Sequence, residues 1–317
     1  MSENKKPLVI LTGPTAVGKT ALSIGIAKRI NGEIISADSM QVYKHMDIGT
    51  AKIMAEEMDG VKHYLIDEYE PDEEFNVTIF QKRAKEAMEE IYKAGKIPVI
   101  VGGTGFYIQA LLYDIDFSEE ENVDGYRKHL YNLAVENGNE YVHNMLKEVD
   151  PEYAAGIHAN NLKRVVRALE FYHETGQKLS MHNEKQQEKE SPYNFVYFVL
   201  NNDRKILYDR IDARVCKMFK DGLVDEVKSL RAAGFTKDMV SMQGIGYKEV
   251  FEYLDGNMSL DDTIDLIQKD TRHFAKRQLT WFRREKDVTW MDYQDYDSNQ
   301  DAMIESMIEH LKEKNII

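Results

Sequence analysis

The chain has 317 residues, of which 43% are hydrophobic, so it can form one large domain or two ordinary ones around a substantial core. Its formal net charge of −14 argues against non-specific binding to nucleic acid, because an acidic surface repels polyphosphate. The single cysteine, Cys216, cannot form an internal disulfide or a zinc site by itself, which suits a reducing compartment. No apolar stretch is long enough for a signal peptide or a membrane span, so we expect a cytoplasmic protein.

A phosphate-binding loop follows the first predicted strand. After the apolar run 8–11, the sequence matches G-x-x-x-x-G-K-[ST] at every fixed position. In such loops backbone N–H groups point at one anion, and the dipole of the following helix adds positive potential. The lysine can pair with the outer phosphate, and the final hydroxyl can hold Mg²⁺. The predicted diphosphate or triphosphate site therefore consists of Gly13, Pro14, Thr15, Ala16, Val17, Gly18, Lys19 and Thr20, with Thr20 as the ligand of Mg²⁺.

Two further predicted strands deliver polar residues to the same sheet edge. The run 33–37 ends at Asp38, and the run 97–101 leads into a glycine turn that contains Thr104. Because ligands of open parallel sheets bind at the carboxyl ends of the strands, we expect both residues beside the phosphate loop. Judged by residue type and position alone, Asp38 fits a structural role in a turn as well as it fits a role toward a ligand. For Thr104 the structural role in a turn fits nearly as well as contact with a substrate.

The pattern changes between residues 114 and 192, where helices follow one another without β-rich runs. The most regular of these helices has its apolar stripe between Leu162 and Tyr172, and we expect Asn160 or Asn161 to cap its start. Three basic residues, Lys163, Arg164 and Arg167, crowd its first half, where the helix dipole disfavours positive charge. We read 184–190 as a charged linker, and an apolar strand returns at 195–200. We therefore predict an α/β fold with a P-loop parallel-sheet core, doubly wound, and an inserted all-helical domain. The predicted boundaries are 1–113 and 193–317 for the core and 114–192 for the insertion.

The last third of the chain adds candidate anion contacts. Arg210 and Arg214 stand one turn apart on a predicted helix and can reach a common anion, although surface arginines are the default interpretation. The glycine-broken segment 243–248 is suited to lie along a phosphate backbone. A predicted helix over 269–286 carries seven basic residues, which on charge alone indicates a solvated face.

These features leave three functional classes open: a small-molecule kinase, a nucleotide-hydrolysing switch or motor, and a transferase that binds a diphosphate leaving group. A switch or motor usually needs an apolar strand that ends in an aspartate, whereas the strand at 97–101 runs into glycines. The kinase hypothesis fits better, with Asp38 as the base toward a substrate hydroxyl.

Seven segments together resemble the tRNA dimethylallyltransferase family, in the family's order and over nearly the whole chain. They are GPTAVGKT from Gly13, IISADSMQVY from Ile34, DIGTAK from Asp47, VGGTGFY from Val101, RALE from Arg167, GIGYK from Gly244 and TRHFAKRQLTWF from Thr271.

The resemblance implies transfer of a dimethylallyl group from dimethylallyl diphosphate to N6 of the adenosine 3′ to the anticodon in tRNA. It implies that the phosphate loop holds the diphosphate with Mg²⁺, that Asp38 is the general base, and that Thr104 lies near the reacting groups. It also assigns Arg214 to the diphosphate, and we add Arg210. The implied tRNA contacts are Asp38, Ser39, Met40, Gln41, Lys163, Arg164, Val165, Val166, Arg167, Gln243, Gly244, Ile245, Gly246, Tyr247 and Lys248.

Under this interpretation the helical insertion contacts the anticodon stem, and the protein acts as a monomer. A P-loop kinase that uses ATP is the alternative.

Overall fold

The computed structural model describes residues 5–117 and 125–317. The described residues divide into two compact units. Those up to Leu112 together with Pro192–Ile317 form the sheet unit, and those within Tyr113–Ser191 form the helical unit. Both divisions lie one residue before the predicted boundaries.

The sheet unit is built on six parallel strands. They are β1 (Lys6–Thr12), β2 (Gly32–Ala37), β3 (His63–Tyr64), β4 (Ile97–Gly102), β5 (Tyr193–Asn201) and β6 (Val288–Asp292). Their order in the sheet is β3-β2-β4-β1-β5-β6, and every neighbouring pair is parallel. Strand β1 is therefore central, and β4 lies between it and β2. This topology brings the ends of β1, β2 and β4 together at one edge.

Helices cover both faces of this sheet. Those of the sheet unit are α1 (Lys19–Arg29), α2 (Val77–Lys93) and α3 (Gly105–Leu112), and, numbered after the five helices of the helical unit, α9 (Arg204–Asp221), α10 (Leu223–Ala232), α11 (Tyr247–Leu254), α12 (Leu260–Phe282) and α13 (Gln300–Glu313). Val9 and Leu11 share a core cluster with residues of α1 and α13. Leu8 and Ile10, which alternate with them and face the other side, are equally buried. Such burial on both faces confirms the predicted doubly wound α/β fold.

The helical unit contains α4 (Tyr126–Asn137), α5 (Asn139–Val149), α6 (Pro151–Ala155), α7 (Leu162–Thr175) and α8 (Leu179–Gln187). Its core includes Leu130, Leu146, Val165 and Leu169. Buried Asp150 fixes two helix starts, because its carboxylate accepts hydrogen bonds from Tyr153 N (3.2 Å), Ser180 N (2.9 Å) and Ser180 Oγ (2.7 Å). None of the described helices in either unit is both long and apolar enough to cross a membrane.

One sequence prediction for the helical unit is wrong, and a second is right only in the position of the cap. The expected linker at 184–190 is helical as far as Gln187, because α8 continues through its charged residues. Asn161 does precede α7, but its side chain makes no capping hydrogen bond. The backbone N–H groups of Arg164 and Val165 bond instead to the Asn161 carbonyl.

The segment 47–52 is held in the sheet unit by two charged side chains, those of half-buried Glu226 and buried Lys52. The Glu226 carboxylate accepts hydrogen bonds from three successive N–H groups, those of Asp47 (2.9 Å), Ile48 (2.7 Å) and Gly49 (3.1 Å), and from the Tyr247 hydroxyl (2.6 Å). The Lys52 ammonium, whose side chain is 1% exposed, donates to Tyr43 O (2.7 Å) and to the carboxylates of Asp47 and Asp67. The segment is thus a fixed part of the fold.

We expect Lys52→Met to destabilise the protein by about 1–3 kcal/mol, because it leaves the Tyr43 carbonyl without its buried donor. Lys228→Met is the matched control, since Lys228 is 57% exposed and pairs only with neighbouring Asp225 in our structure. Exposed pairs of this kind contribute at most about 1 kcal/mol. The measurement is the urea midpoint of each variant. Equal midpoints for the two variants would contradict the role given to Lys52.

Candidate functional site

Three turns meet at the carboxyl edge of the sheet. The phosphate loop follows β1, Asp38 follows β2, and the glycine turn with Thr104 follows β4. Thr12 Oγ1 donates to Gly102 O (2.7 Å), and Thr104 N donates to Ala37 O (3.2 Å). A Cβ on Gly102 would collide with the Ala37 carbonyl, so only glycine fits there. The structure therefore brings Asp38, Thr104 and the phosphate loop together.

The shape of the phosphate loop depends on its two glycines. Gly18 has φ +109°, and a Cβ there would lie 2.5 Å from the Tyr293 hydroxyl. A Cβ on Gly13, at φ +149°, would lie 2.7 Å from Leu200 O. Helix α1 begins immediately after Gly18, and the first N–H groups of a helix have no partner within it. The start of α1 therefore offers N–H groups that are suited to bind an anion.

Two cations lie close together at this loop. The Lys19 ammonium donates to the carbonyls of Gly13 and Pro14 (2.9 Å each), which fold it back onto the loop. The pKa of Lys19 is lowered to about 8, chiefly by burial and then by repulsion from Arg214, while attraction to Asp38 partly opposes both. Burial also lowers the pKa of the Arg214 guanidinium. An anion bound here would relieve both the repulsion and the lost hydration.

Arg210 approaches the same loop from one turn earlier in α9. Its Nη1 donates to Val17 O (3.4 Å), and its guanidinium carbon lies 5.6 Å from the ring centroid of Tyr293. The side chain is exposed, in contrast to the half-buried Arg214. Both predicted arginines thus lie at the phosphate loop, and Arg214 is the one that contributes its charge to the buried part.

Asp38 has the geometry of a turn residue and also faces the cleft. Its Oδ1 accepts hydrogen bonds from Met40 N (2.9 Å) and Gln41 N (3.3 Å), which fixes the turn 38–41. Its carboxylate lines a cleft that also contains Lys19 and Thr20. The two roles are compatible, because the turn occupies only one carboxylate oxygen and leaves Oδ2 to act as a proton acceptor.

The cleft has a polar side and an apolar side. Its apolar lining is formed by branched aliphatic residues, namely Ile34, Ile53, Ile66 and Val101. Within residues 5–117 and 125–317, no group of three or more His, Cys, Asp or Glu side chains could hold a metal. Mg²⁺ commonly binds through one or two protein oxygens together with substrate phosphates and water. The exposed Thr20 hydroxyl fits such an ion only when a phosphate supplies the other ligands.

The first predicted tRNA-contact segment belongs to α7 in the helical unit. Lys163 and Arg164 are exposed, and half-buried Arg167 lies 3.4 Å from the Glu170 carboxylate. Val165 and Val166 are buried in the core of this unit. Their side chains pack the helix, so the prediction for this segment depends on its three basic members.

The other two predicted segments lie against each other in the sheet unit. A Cβ on Gly244 would lie 2.6 Å from Met40 Cε, so 38–41 and 243–248 are in contact. Gln243 is exposed, Ser39, Ile245 and Lys248 are half-buried, and Gly246 is buried. Tyr247 is 1% exposed and donates its hydroxyl to Glu226, so its side chain holds the fold together and is not a surface for RNA.

One face of α12 carries a surface that charge alone did not reveal. Arg277 lies 5.8 Å from the ring of Phe274, and Arg284 lies 5.2 Å from the ring of Trp281. Phe106 meets Trp281 edge-on at 6.2 Å. Alternating aromatic and arginine side chains are typical of surfaces that stack unpaired bases. The spacing i, i+3, i+7, i+10, from Phe274 in α12 to Arg284 just beyond its end, is the sequence signal that indicates this surface.

Gln278 is a buried residue of the site that sequence reasoning missed. From α12 its Oε1 accepts a hydrogen bond from Thr15 N (2.9 Å), and its Nε2 donates to Gly103 O (3.0 Å). It therefore joins the phosphate loop to the glycine turn that carries Thr104. Nothing in the sequence near Gln278 indicates these partners, because they lie 263 and 175 residues away.

Comparison with known proteins shows strong similarity over nearly the whole chain. Residues 41–285 match the family model described as IPP transferase. A tRNA dimethylallyltransferase of Lachnoclostridium phytofermentans is 61% identical over 98% of this chain and 99% of its own length. The crystal structure of a full-length tRNA isopentenylpyrophosphate transferase from Bacillus halodurans is 45% identical, with a TM-score of 0.73 and 98% of both chains covered. A eukaryotic dimethylallyltransferase acting on tRNA is 31% identical, with a TM-score of 0.78, over 90% of this chain and 74% of its own.

The pKa of Lys19 predicts how anion affinity changes with pH. Below about pH 8 the lysine is charged before an anion binds, and above it the lysine must first take up a proton. The Kd for a monoalkyl diphosphate, which has no ionisation of its own in the alkaline range, should therefore rise above pH 8 by up to about tenfold per pH unit.

Isothermal titration across this range is the measurement. Lys19→Arg is the control, because a guanidinium keeps its charge and should give a pH-independent Kd. A pH-independent Kd for the unaltered protein would contradict the assignment of Lys19 to the anion.

Proposed function

The chain belongs to the IPP transferase family, and from this premise we propose that it transfers a dimethylallyl group from dimethylallyl diphosphate to tRNA. The observation that carries the proposal is the meeting of three strand ends, where a cationic phosphate loop lies beside a carboxylate. The relatives named above are tRNA prenyl transferases, which favours this reaction over the kinase alternative. A tRNA substrate also favours the cytoplasm as the place of reaction.

The donor fits the two sides of the cleft. We assign its diphosphate to the start of α1, where helix N–H groups, Lys19 and Arg214 supply positive charge. The apolar side, lined by Ile53 and Ile66 among others, suits the hydrocarbon tail. When bound, Mg²⁺ on the Thr20 hydroxyl would neutralise part of the charge on the phosphates.

The reaction exchanges one bond for another at C1 of the donor. The C1–O bond to diphosphate breaks, a C1–N6 bond to the target adenosine forms, and N6 loses a proton. A carboxylate is too weak a base to ionise an aromatic amine beforehand. Asp38 therefore orients N6 and accepts its proton as the new bond makes the nitrogen acidic. Lys19, Arg214 and the loop N–H groups stabilise the charge that grows on the departing diphosphate.

Several surfaces support RNA as the acceptor. The exposed Lys163 and Arg164 can pair with phosphates of the anticodon stem, and Gln243 and Lys248 with those of its loop. The aromatic and arginine face of α12 can stack unpaired bases. The target adenosine must leave its stack to reach Asp38, at a cost of a few kcal/mol that is smaller in a loop than in a duplex.

The decisive experiment incubates the protein and Mg²⁺ with unmodified tRNA and dimethylallyl diphosphate, and in parallel with tRNA and labelled ATP. We expect mass spectrometry of the digested nucleosides to find a prenylated adenosine in the first reaction, and no label transferred in the second. Label transferred from ATP without a prenylated product would make the protein a kinase.

Asp38→Asn separates the two roles of this residue. The amide oxygen can still accept from Met40 N and Gln41 N, so the turn and tRNA binding should persist, whereas the proton acceptor is lost. Turnover should fall by about 10²–10⁴-fold, the usual contribution of a general base. Single-turnover rates and a filter-binding Kd for tRNA are the measurements.

Asp38→Ala is the companion variant, since it removes the turn acceptor as well. We expect it to lose turnover at least as severely as Asp38→Asn while it still binds tRNA. Loss of tRNA binding in Asp38→Asn with near-normal turnover of bound tRNA would make Asp38 a binding residue and refute its role as base.

A further inference from the structure

We propose that Gln278 is a positioning residue for the donor: it fixes the distance between the phosphate loop and the turn that carries Thr104. The inference deepens the proposed function and rests on it, because the two parts it joins are the assigned sites of the diphosphate and of the reacting groups.

The side chain of Gln278 is fully committed to this connection. It is 6% exposed, so its hydrogen bonds do not compete with bulk water. The carboxamide oxygen accepts from Thr15 N and the carboxamide nitrogen donates to Gly103 O. A carboxamide offers a donor nitrogen and an acceptor oxygen side by side without charge, and asparagine, the other residue that carries one, is one methylene shorter.

The glycine turn is shaped to pack against α12 at two points. A Cβ on Gly103 would collide with Gln278 Nε2, and a Cβ on Gly105 would collide with the Trp281 ring. The backbone of the turn therefore approaches the helix more closely than any residue with a side chain allows. Because Thr104 lies between these contacts, its position is set by the position of α12.

The first half of the phosphate loop is held by the protein itself. Pro14 has no N–H, Thr15 N bonds to Gln278, and Val17 N bonds to Pro14 O (3.4 Å). Within 13–20, the N–H groups of Thr15 and Val17 therefore bond to the protein itself, and we assign the diphosphate to other N–H groups of the loop and of the start of α1. Gln278 thus fixes the loop at Thr15, just before the residues to which we assign the diphosphate.

Transfer between two bound substrates is sensitive to such a connection. The donor carbon and the attacking nitrogen must be held in line, and a misplacement of about 1 Å can cost about 10²-fold in rate. Without Gln278 the Thr15 N–H and the Gly103 carbonyl lose their buried partners, and each would turn toward a new one. The loop and the turn would then remain joined through β1 and β4 but would lose the connection between their tips.

Gln278→Met tests the inference, because methionine has a similar length but neither hydrogen-bonding group. We expect kcat to fall by about 10²-fold and the Kd for a monoalkyl diphosphate, measured by calorimetry, to rise by about tenfold. The KM for tRNA should not change. Gly103→Ala disturbs the same contact from the other side and should have a similar effect. In the double variant the losses should not add, because one connection is broken twice.

Gln268→Met is the matched control. Gln268 is on the same helix, and its Nε2 donates to Asp212 O (3.2 Å), outside the phosphate loop and the glycine turn. We expect both Gln268→Met and Gln278→Met to lower the thermal midpoint, because each loses a hydrogen bond. Gln268→Met should leave kcat and diphosphate affinity unchanged.

Three results would overturn the inference. The first is an unchanged kcat and an unchanged diphosphate affinity in Gln278→Met, and the second is additive losses in the double variant. The third is a rise in the KM for tRNA by the same factor as the rise in the Kd for the diphosphate. If the proposed function itself fails, the unaltered protein yields no prenylated tRNA, whereas the effect on diphosphate affinity can still be measured.

Discussion

The repulsion between two partly desolvated cations is the interaction on which this site depends. Lys19 and Arg214 come from the two separate stretches of the sheet unit's sequence, yet the fold holds them close enough for Arg214 to lower the pKa of Lys19. Hydrogen bonds from Lys19 to two loop carbonyls make the arrangement tolerable without a ligand. An anion of two or more charges would turn the repulsion into attraction. Under the proposed function, binding energy is concentrated where the diphosphate departs, which is where a transferase needs it.

The rest of the sheet unit holds Asp38 and Gln278 near Lys19 and Arg214 without neutralising the charge of the two cations. Strand β4 lies between β1 and β2, so the carboxylate of Asp38 reaches the edge one strand away from the loop. That carboxylate is partly occupied by its own turn, which fixes its direction. Helix α12 then contributes on two sides. Gln278 is buried against the loop and the turn, while Phe274 and Arg277 stay exposed.

Local features of the sequence predicted the sheet edge, and distant pairings account for what they missed. The phosphate loop and the strand that ends at Asp38 are continuous segments whose geometry depends on their own residues. The backbone partners of Gln278 and Glu226 lie more than 170 residues away and leave no local pattern. Tyr247 sits in a glycine-broken segment that resembles a surface, but its burial against Gly49 is decided by packing. The site residues themselves remain predictions until ligands are bound.

The bond between Glu226 and the three N–H groups of 47–49 has a consequence for selectivity. Successive N–H groups that converge on one point form a concavity that attracts phosphate in any protein. Here a carboxylate from α10 already fills it, so the concavity carries its own counter-anion. An enzyme that, as proposed, binds both a diphosphate and the phosphates of tRNA works better when neither is held at a second site away from the cleft. Because the Glu226 carboxylate occupies the N–H groups of 47–49, this segment does not compete with the start of α1 for phosphate.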